Sequence, residues 1–429
     1  MLLLAVIVWA ADRRPLPVLN STDYMCAFYV AGHMVNHGAG KDLYPQPPAA
    51  NFYQEKFALY ARRLLNEKEG SGMYLFAYPP LVALVAAPFA RLEPAQSLMA
   101  WQAVSFLSLL MSSILFASTA GVRASPLVVL LSSCLFFPLH NVIVVGQTPL
   151  LIGLLPLAAG YFFWQRQKPF LSGVCWSVLG LKPQLAIPIV VLWCALAISA
   201  LACRKRPEDH EAPNAVRLAE PAAIAGGVVV GLLVEHGIPL LLIGTDSFGL
   251  WLNAVKMSSQ AFAAPEAGYW QYHLFFSLPN LLVLVAPKGW WQGARLPSYV
   301  VGALMLVLGV TACCRILGLP MSLERRRDLL MILAVSFMIF SAPHILLYDT
   351  CLLLLPAWIL FFKLDGDSFF LTLGRAIALA ILAGFDLYIC LLLSAQELPA
   401  VAWQLLPVAG LMLCTFLLFF KAGRPKEAT

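Results

Sequence analysis

Charge is scarce in this sequence. Asp, Glu, Lys and Arg make up 12% of its 429 residues, against 61% hydrophobic residues. A soluble domain carries about 25% charged residues, so water cannot be the solvent on all sides of this chain and lipid takes its place. Strand-like alternation is missing too. The apolar stretches are continuous Leu/Ala/Val runs, which excludes a β-barrel and leaves helices, because every backbone polar group in lipid must be bonded internally. No CxxC pair and no metal-ligand spacing occurs among the ten cysteines. Cys26, Cys134, Cys175, Cys194 and the Cys313-Cys314 pair lie in apolar segments and read as small core hydrophobes. No basic residue precedes the apolar Met1–Ala11, so it is not a signal peptide. It is too short to span unaided and runs into Asp12-Arg13-Arg14; the expectation is a first helix truncated by a start placed too late. The net charge of +6 reports basic cytoplasmic loops, and nucleic acid is not an expected partner.

What remains is a series of apolar runs. They cover about 79–92, 95–119, 125–145, 149–164, 168–181, 183–202, 221–243, 297–319, 328–345, 348–362, 369–393 and 400–420. A helix needs about 20 residues to cross roughly 30 Å of hydrocarbon. The expected fold is therefore all-α, a single polytopic membrane domain over 1–429 with about 11–13 spans. The first outer loop, 12–77, carries two segments with helical periodicity. Ser21-Thr22-Asp23 caps one with Tyr24, Phe28, Ala31 and Val35 on a face. In the other, Tyr53, Phe57, Tyr60 and Leu64 oppose Glu55, Lys56, Arg62 and Arg63. Both are expected to lie in the interface plane; a small soluble subdomain packed on itself is the alternative. A second outer loop, 244–296, holds the short apolar piece Leu274–Pro287, a candidate re-entrant segment interrupted at Pro279. Arg166/Lys168, Arg204-Lys205-Arg206, Arg325-Arg326-Arg327, Lys363 and Lys421/Arg424/Lys426 are expected on the cytoplasmic side. Arg91 and Arg123 cannot both be cytoplasmic if 79–92 and 95–119 are separate passes; at about fourteen residues, the first is a candidate half-span.

This orientation puts most of the unusual polar groups on the outer face. Asp23 is either an N-cap carboxylate or a general base among aromatics. His344 and Asp349, in Pro343-His344 and Tyr348-Asp349, are either polar members of an interfacial turn or functional ionisable groups at membrane depth. Lys182, followed by Pro183-Gln184, interrupts an apolar stretch; it either snorkels to the interface or meets an anion. Gln147, after Gly146 and before Thr148-Pro149, marks another helix break. Two tempting metal motifs are set aside. Asp365-Gly366-Asp367 reads as a plain cytoplasmic turn, and His33 and His37 read as solvated histidines without a third ligand.

In order along the chain, these features resemble glycosyltransferase family 87, a group of polytopic enzymes of the GT-C type. The resemblance rests on Asp23-Tyr24, Phe28-Tyr29, Ala31-Gly32 and Leu43-Tyr44. It continues with Phe76-Ala77-Tyr78-Pro79-Pro80-Leu81, Pro88-Phe89-Ala90 and Gly146-Gln147, although Thr148-Pro149 departs from the usual continuation. Gly173 through Lys182-Pro183, then Pro343-His344 and Tyr348-Asp349, complete it over roughly residues 20–350.

The resemblance implies a GT-C bundle that moves a sugar, mannose or arabinofuranose, from a polyprenyl-phosphate donor to a hydroxyl of a glycolipid or envelope glycan. The site is expected to face outward from a bacterial cytoplasmic membrane. It implies Asp23 and His344 as catalytic residues and Lys182, Gln147, Tyr78, Tyr348 and Asp349 as the set around the donor phosphate. No metal and no cofactor are expected, since the lipid-linked sugar is itself the donor. Membrane lipids, the polyprenyl-phosphate sugar and the acceptor glycan are the expected partners. The competing readings are a transporter or flippase of lipid-linked sugars, which shares many spans and broken helices but should show repeated halves, and a non-catalytic envelope-assembly protein.

Overall fold

The computed structural model describes residues 22–45, 56–66, 74, 76–204, 218–263, 277–286, 290–342, 345–364 and 375. Met1–Ala11, His344, the Asp365-Gly366-Asp367 turn, the expected span at 400–420 and, apart from Arg375, that at 369–393 lie outside them.

The regular structure of the described residues is helical, with no strand among them. In chain order the α-helices are α1 (Val30–Asn36), α2 (Lys56–Leu64), α3 (Pro80–Ala86), α4 (Pro94–Ala117) and α5 (Pro126–Ser133). Then come α6 (Phe137–Val145), α7 (Leu155–Gln165), α8 (Pro169–Ser177), α9 (Ile187–Arg204) and α10 (Ala219–Leu242). The last are α11 (Ser247–Ala263), α12 (Leu278–Val285), α13 (Trp291–Leu317), α14 (Leu323–Ser341) and α15 (Leu354–Phe362). π-Helical turns precede α1 (Tyr24–Tyr29) and α7 (Pro149–Leu154), and 3₁₀ turns at Val178–Leu181, Pro183–Ala186 and Leu347–Leu353 break other segments.

Among the described residues, four helices are long and apolar enough to cross a bilayer: Pro94–Ala117, Pro183–Ala202, Ala219–Leu242 and Gly293–Leu317. The first has 24 residues, about 36 Å at 1.5 Å per residue. Pro126–Ser133 with Pro138–Val145 makes a fifth if counted as one broken span. The protein is thus a polytopic all-α membrane protein, but several expected spans are shorter or broken helices. Proline sets many of the breaks. It stands in the first turn of α3, α5 and α8, where its missing N–H is no loss. Leu107, Leu131, Leu233 and Val307 are each more than half exposed, acceptable only if lipid meets them. Helix α3 has seven residues, about 10 Å, so it is a half-span at most. Arg91 precedes α4 and Arg123 follows it. Pro279 also differs from expectation. It does not interrupt its segment but opens α12, whose Ser277 cap accepts from the Asn280 N–H at 3.3 Å.

The chain forms two compact units. The first gathers residues 1–108, 141–151 and 231–267. Its interior is aromatic: Tyr24, Phe28, Phe76 and Trp101 are buried, with Phe28 stacked on Trp101 at 5.7 Å and Tyr78 edge-on to Phe28 at 4.9 Å. The segment from Tyr24 to Asn36 packs mostly against protein: Tyr24, Met25, Phe28, Val30 and Ala31 are all inaccessible, while Cys26, Ala27, His33, Val35 and Asn36 are partly exposed. Helix α2 is the amphipathic one, with Lys56 and Arg63 exposed. Its buried stripe runs through Phe57, Ala61 and Leu65 with Ala58, one step round from the expected Phe57, Tyr60 and Leu64.

The second unit gathers residues 109–140, 152–230 and 268–429. Helix α14 is its axis, buried from Arg326 to Ser341. Helices α8 and α10 cross through a reciprocal pair of glycines. A Cβ on Gly173 would stand 2.1 Å from the Ile224 carbonyl oxygen, and one on Gly227 2.1 Å from that of Phe170. Between helices in lipid, where apolar burial gains little, close backbone approach of this kind supplies the packing.

The basic cluster read as cytoplasmic loop charge is not loose at the surface. Arg326, Arg327 and Lys363 are buried. Asp328 accepts from Tyr161 Oη at 2.5 Å, Gln165 Nε2 at 2.6 Å and Lys363 Nζ at 2.9 Å. Arg327 pairs with Glu220 at 2.6 Å and donates to the Trp164 carbonyl oxygen. Buried charges that are paired and bonded in this way tie α7, α10, α14 and the end of α15 together.

Candidate active site

In the first unit, the residue that caps the opening helix is Thr22. Its Oγ1 accepts from the Met25 N–H at 3.4 Å, and its carbonyl accepts from Cys26 at 3.0 Å. Asp23 already has helical dihedrals and makes no capping bond. The cap alternative for Asp23 is therefore answered by its neighbour, and the carboxylate is released for other work.

Gln147 takes it up. Its Nε2 donates to Asp23 Oδ2 at 2.6 Å, while its Oε1 accepts from Tyr78 Oη at 3.0 Å. This three-residue chain joins sequence positions far apart, and each member is held by its backbone. Gly146, at φ +70°, ends α6 in the left-handed region that glycine adopts at little cost. A Cβ there would meet Tyr24 Cβ at 2.5 Å. The Gly146 carbonyl accepts from Trp101 Nε1 at 2.9 Å, and the Ile143 carbonyl from Gln102 Nε2 at 3.0 Å. Tyr24 Oη bonds to Ser97 Oγ at 2.6 Å, which fixes the turn beside Asp23. Tyr78 is positioned by its carbonyl, which accepts from Tyr44 Oη at 2.7 Å, and by Trp251 Nε1, which donates to the Ala77 carbonyl at 3.0 Å. The result is a partly buried carboxylate at the head of a helix, held by Gln147 and linked through it to Tyr78, whose ring packs edge-on to Phe28. A carboxylate so held can accept a proton from a hydroxyl brought next to it.

The same unit has a pocket of about 370 Å³ lined by Tyr29, His33, Asn36, His37 and Ala90–Glu93. The two histidines stack with ring centroids 4.0 Å apart, and His33 Nδ1 bonds to Tyr60 Oη at 2.8 Å. Burial, and secondarily the neighbouring His37, hold the His33 pKa below its ordinary value.

In the second unit, Lys182 is extended between two 3₁₀ turns, with Pro183 opening the second. It does not snorkel. Its Nζ is 2.5 Å from Asp349 Oδ1 and 4.5 Å from the centre of the Tyr348 ring, with the side chain 7% exposed and that of Asp349 0%. Asp349 Oδ2 accepts from the Leu346 N–H at 3.2 Å. Lys182, Tyr348 and Asp349 thus come together as a buried ion pair beside an aromatic face. The proline break lets the chain present a lysine inward where a continuous helix would carry it past.

Sequence reasoning did not single out Asp328, Glu220 or Tyr161. The signal that could have found them is their polarity inside runs otherwise apolar.

An all-helical membrane protein whose ionisable side chains gather at helix breaks has the build of an integral membrane enzyme or transporter. The model of glycosyltransferase family 87 matches residues 76–347, more than half of the chain. The chain belongs to that family, and it is a membrane glycosyltransferase. The matched segment includes Tyr78, Gln147, Lys182 and His344 and stops short of Asp23, Tyr348 and Asp349. No curated protein sequence matches the chain, and no solved structure does.

Proposed function

We propose that this glycosyltransferase moves a sugar, mannose or arabinofuranose, from a polyprenyl-phosphate donor to an acceptor hydroxyl at the outer face of a bacterial cytoplasmic membrane. Asp23 is the base. Its carboxylate takes the proton of the acceptor hydroxyl, the oxygen attacks the anomeric carbon, and the bond from that carbon to the phosphate oxygen breaks. The electron pair leaves with the phosphate, giving polyprenyl phosphate and the extended glycan. The observation that carries this reading is the release of Asp23 from capping by Thr22, together with its bond from Gln147, whose Oε1 in turn accepts from Tyr78. A carboxylate serving only the helix end has no need of such a partner.

Lys182 is assigned to the lipid phosphate, whose developing charge a cation stabilises as it departs. In the absence of donor Asp349 holds that ammonium; a phosphate that draws on it trades one anion for another. The reaction so written uses the lipid-linked sugar alone as donor and calls on no metal. The test is sugar transfer from a labelled polyprenyl-phosphate mannose or arabinofuranose by the protein in lipid nanodiscs. Asp23→Asn should fold normally and lose at least about 100-fold in turnover. A fully active variant removes Asp23 from the mechanism.

A further inference from the structure

We propose that the pocket lined by His33, Asn36, His37, Arg91 and Glu93 binds the acceptor glycan, gripping sugar residues removed from the hydroxyl that reacts at Asp23; this rests on the transferase reading above. At about 370 Å³ the pocket falls in the range of small-molecule sites, about 300–1,000 Å³. It lies along the same helical segment as Asp23. Asp23 and His33 stand ten positions apart, on the order of 10–15 Å along a helical segment whose first part is π-helical, the reach of a short oligosaccharide.

The lining has bonding capacity to spare. Asn36 Nδ2 is occupied by the Ala87 carbonyl at 2.6 Å, which leaves its Oδ1 as an acceptor. His33 and His37 each use Nδ1, toward Tyr60 Oη and the His33 carbonyl, which leaves both Nε2 atoms. Arg91 and Glu93 are exposed and form no ion pair with another described residue. A guanidinium, a carboxylate, an amide oxygen and two imidazoles offer donors and acceptors in mixture. Every sugar hydroxyl both donates and accepts, so a polyol is the ligand that uses such a mixture fully. One fixed cation and one fixed anion cancel, and burial favours neutral His33. The ligand is therefore a neutral oligosaccharide; a phospholipid headgroup would need surplus positive charge.

The experiment uses the full chain in nanodiscs and the fluorescently labelled trisaccharides of α-mannose, arabinofuranose and α-glucose. The wild type should bind at least one of them, and Arg91→Ala and Glu93→Gln should each weaken that binding by about tenfold or more. Both side chains are exposed, so neither change disturbs the core. The proposal is overturned if no trisaccharide binds, if both variants bind as the wild type does, or if glycerophosphate competes and sugars do not. Binding that depends on Arg91 and Glu93 in a protein that transfers no sugar would uphold the pocket while sinking the catalytic reading. Transfer that survives with unaltered trisaccharide binding in both variants would do the reverse.

Discussion

Lys182→Met removes an ammonium while keeping the apolar body of the side chain, and it isolates the buried ion pair. Asp349, fully inaccessible, loses its 2.5 Å partner and keeps the Leu346 N–H at 3.2 Å. A buried carboxylate stripped of its counter-charge costs about 3–5 kcal/mol, and neither group is open enough for solvent to screen the loss. In Asp349→Asn, Lys182 retains the Tyr348 ring at 4.5 Å, a contact worth about 0.5–2 kcal/mol that offsets part of the damage. The double variant Lys182→Met/Asp349→Asn buries no charge, and its amide oxygen still accepts from Leu346. It should therefore return to within about 1–2 kcal/mol of the wild type, with a coupling of at least about 2 kcal/mol across the cycle. Unfolding in mixed micelles, followed by tryptophan fluorescence, measures all four corners. A coupling below about 0.5 kcal/mol would show that the pair does not hold these segments together. Turnover then separates structure from chemistry. The double variant should be stable yet poor in donor use, since no cation is left for the phosphate. If it is stable and fully active, Lys182 is structural and its assignment to the donor is refuted.

Gly146→Ala should cost about 2–4 kcal/mol, from a left-handed backbone and the collision of its Cβ with Tyr24. Because it displaces Gln147 it should also lower transfer sharply; Gly249→Ala, at a helical position that meets nothing within 4 Å, is the control and should leave stability unchanged or raise it by up to about 1 kcal/mol in the same unfolding assay. Gly227→Ala should force α8 and α10 apart and lower the melting temperature by several degrees, whereas Gly237→Ala, also in open space, should not. For pH the sign follows from His33, whose folded pKa lies below the ordinary 6.5. Stability is full above that value and falls as pH drops below it, because the unfolded chain takes up the proton first. Tyr60, Tyr29 and His37 face the ring, and Arg91 and Glu93 line the same pocket. Melts from pH 7.5 to 5 should lose part of this slope in His33→Gln; an unchanged slope assigns it to other groups.

Composition alone determined that this is a helical membrane protein, since charge scarcity and unbroken apolar runs act locally and leave no other solvent than lipid. Prolines and glycines marked the helix breaks for an equally local reason: each restricts or frees its own φ. The motifs around Tyr78, Gln147 and Lys182 were also legible, because a polar residue at a break in an apolar run stands out against its neighbours. Partnership was not legible. Whether Thr22 or Asp23 caps the first helix depends on where Gln147 lies, more than a hundred residues further on. Whether Lys182 reaches water or Asp349 depends on a turn still more distant along the chain. The burial of Arg327 and Asp328 was hidden for the same reason, since a run of charge looks like a solvated loop until the helices that pair with it are in place. Sequence determines which residues cannot rest in lipid unaided; tertiary structure decides which of them satisfy one another and which are left to meet a substrate.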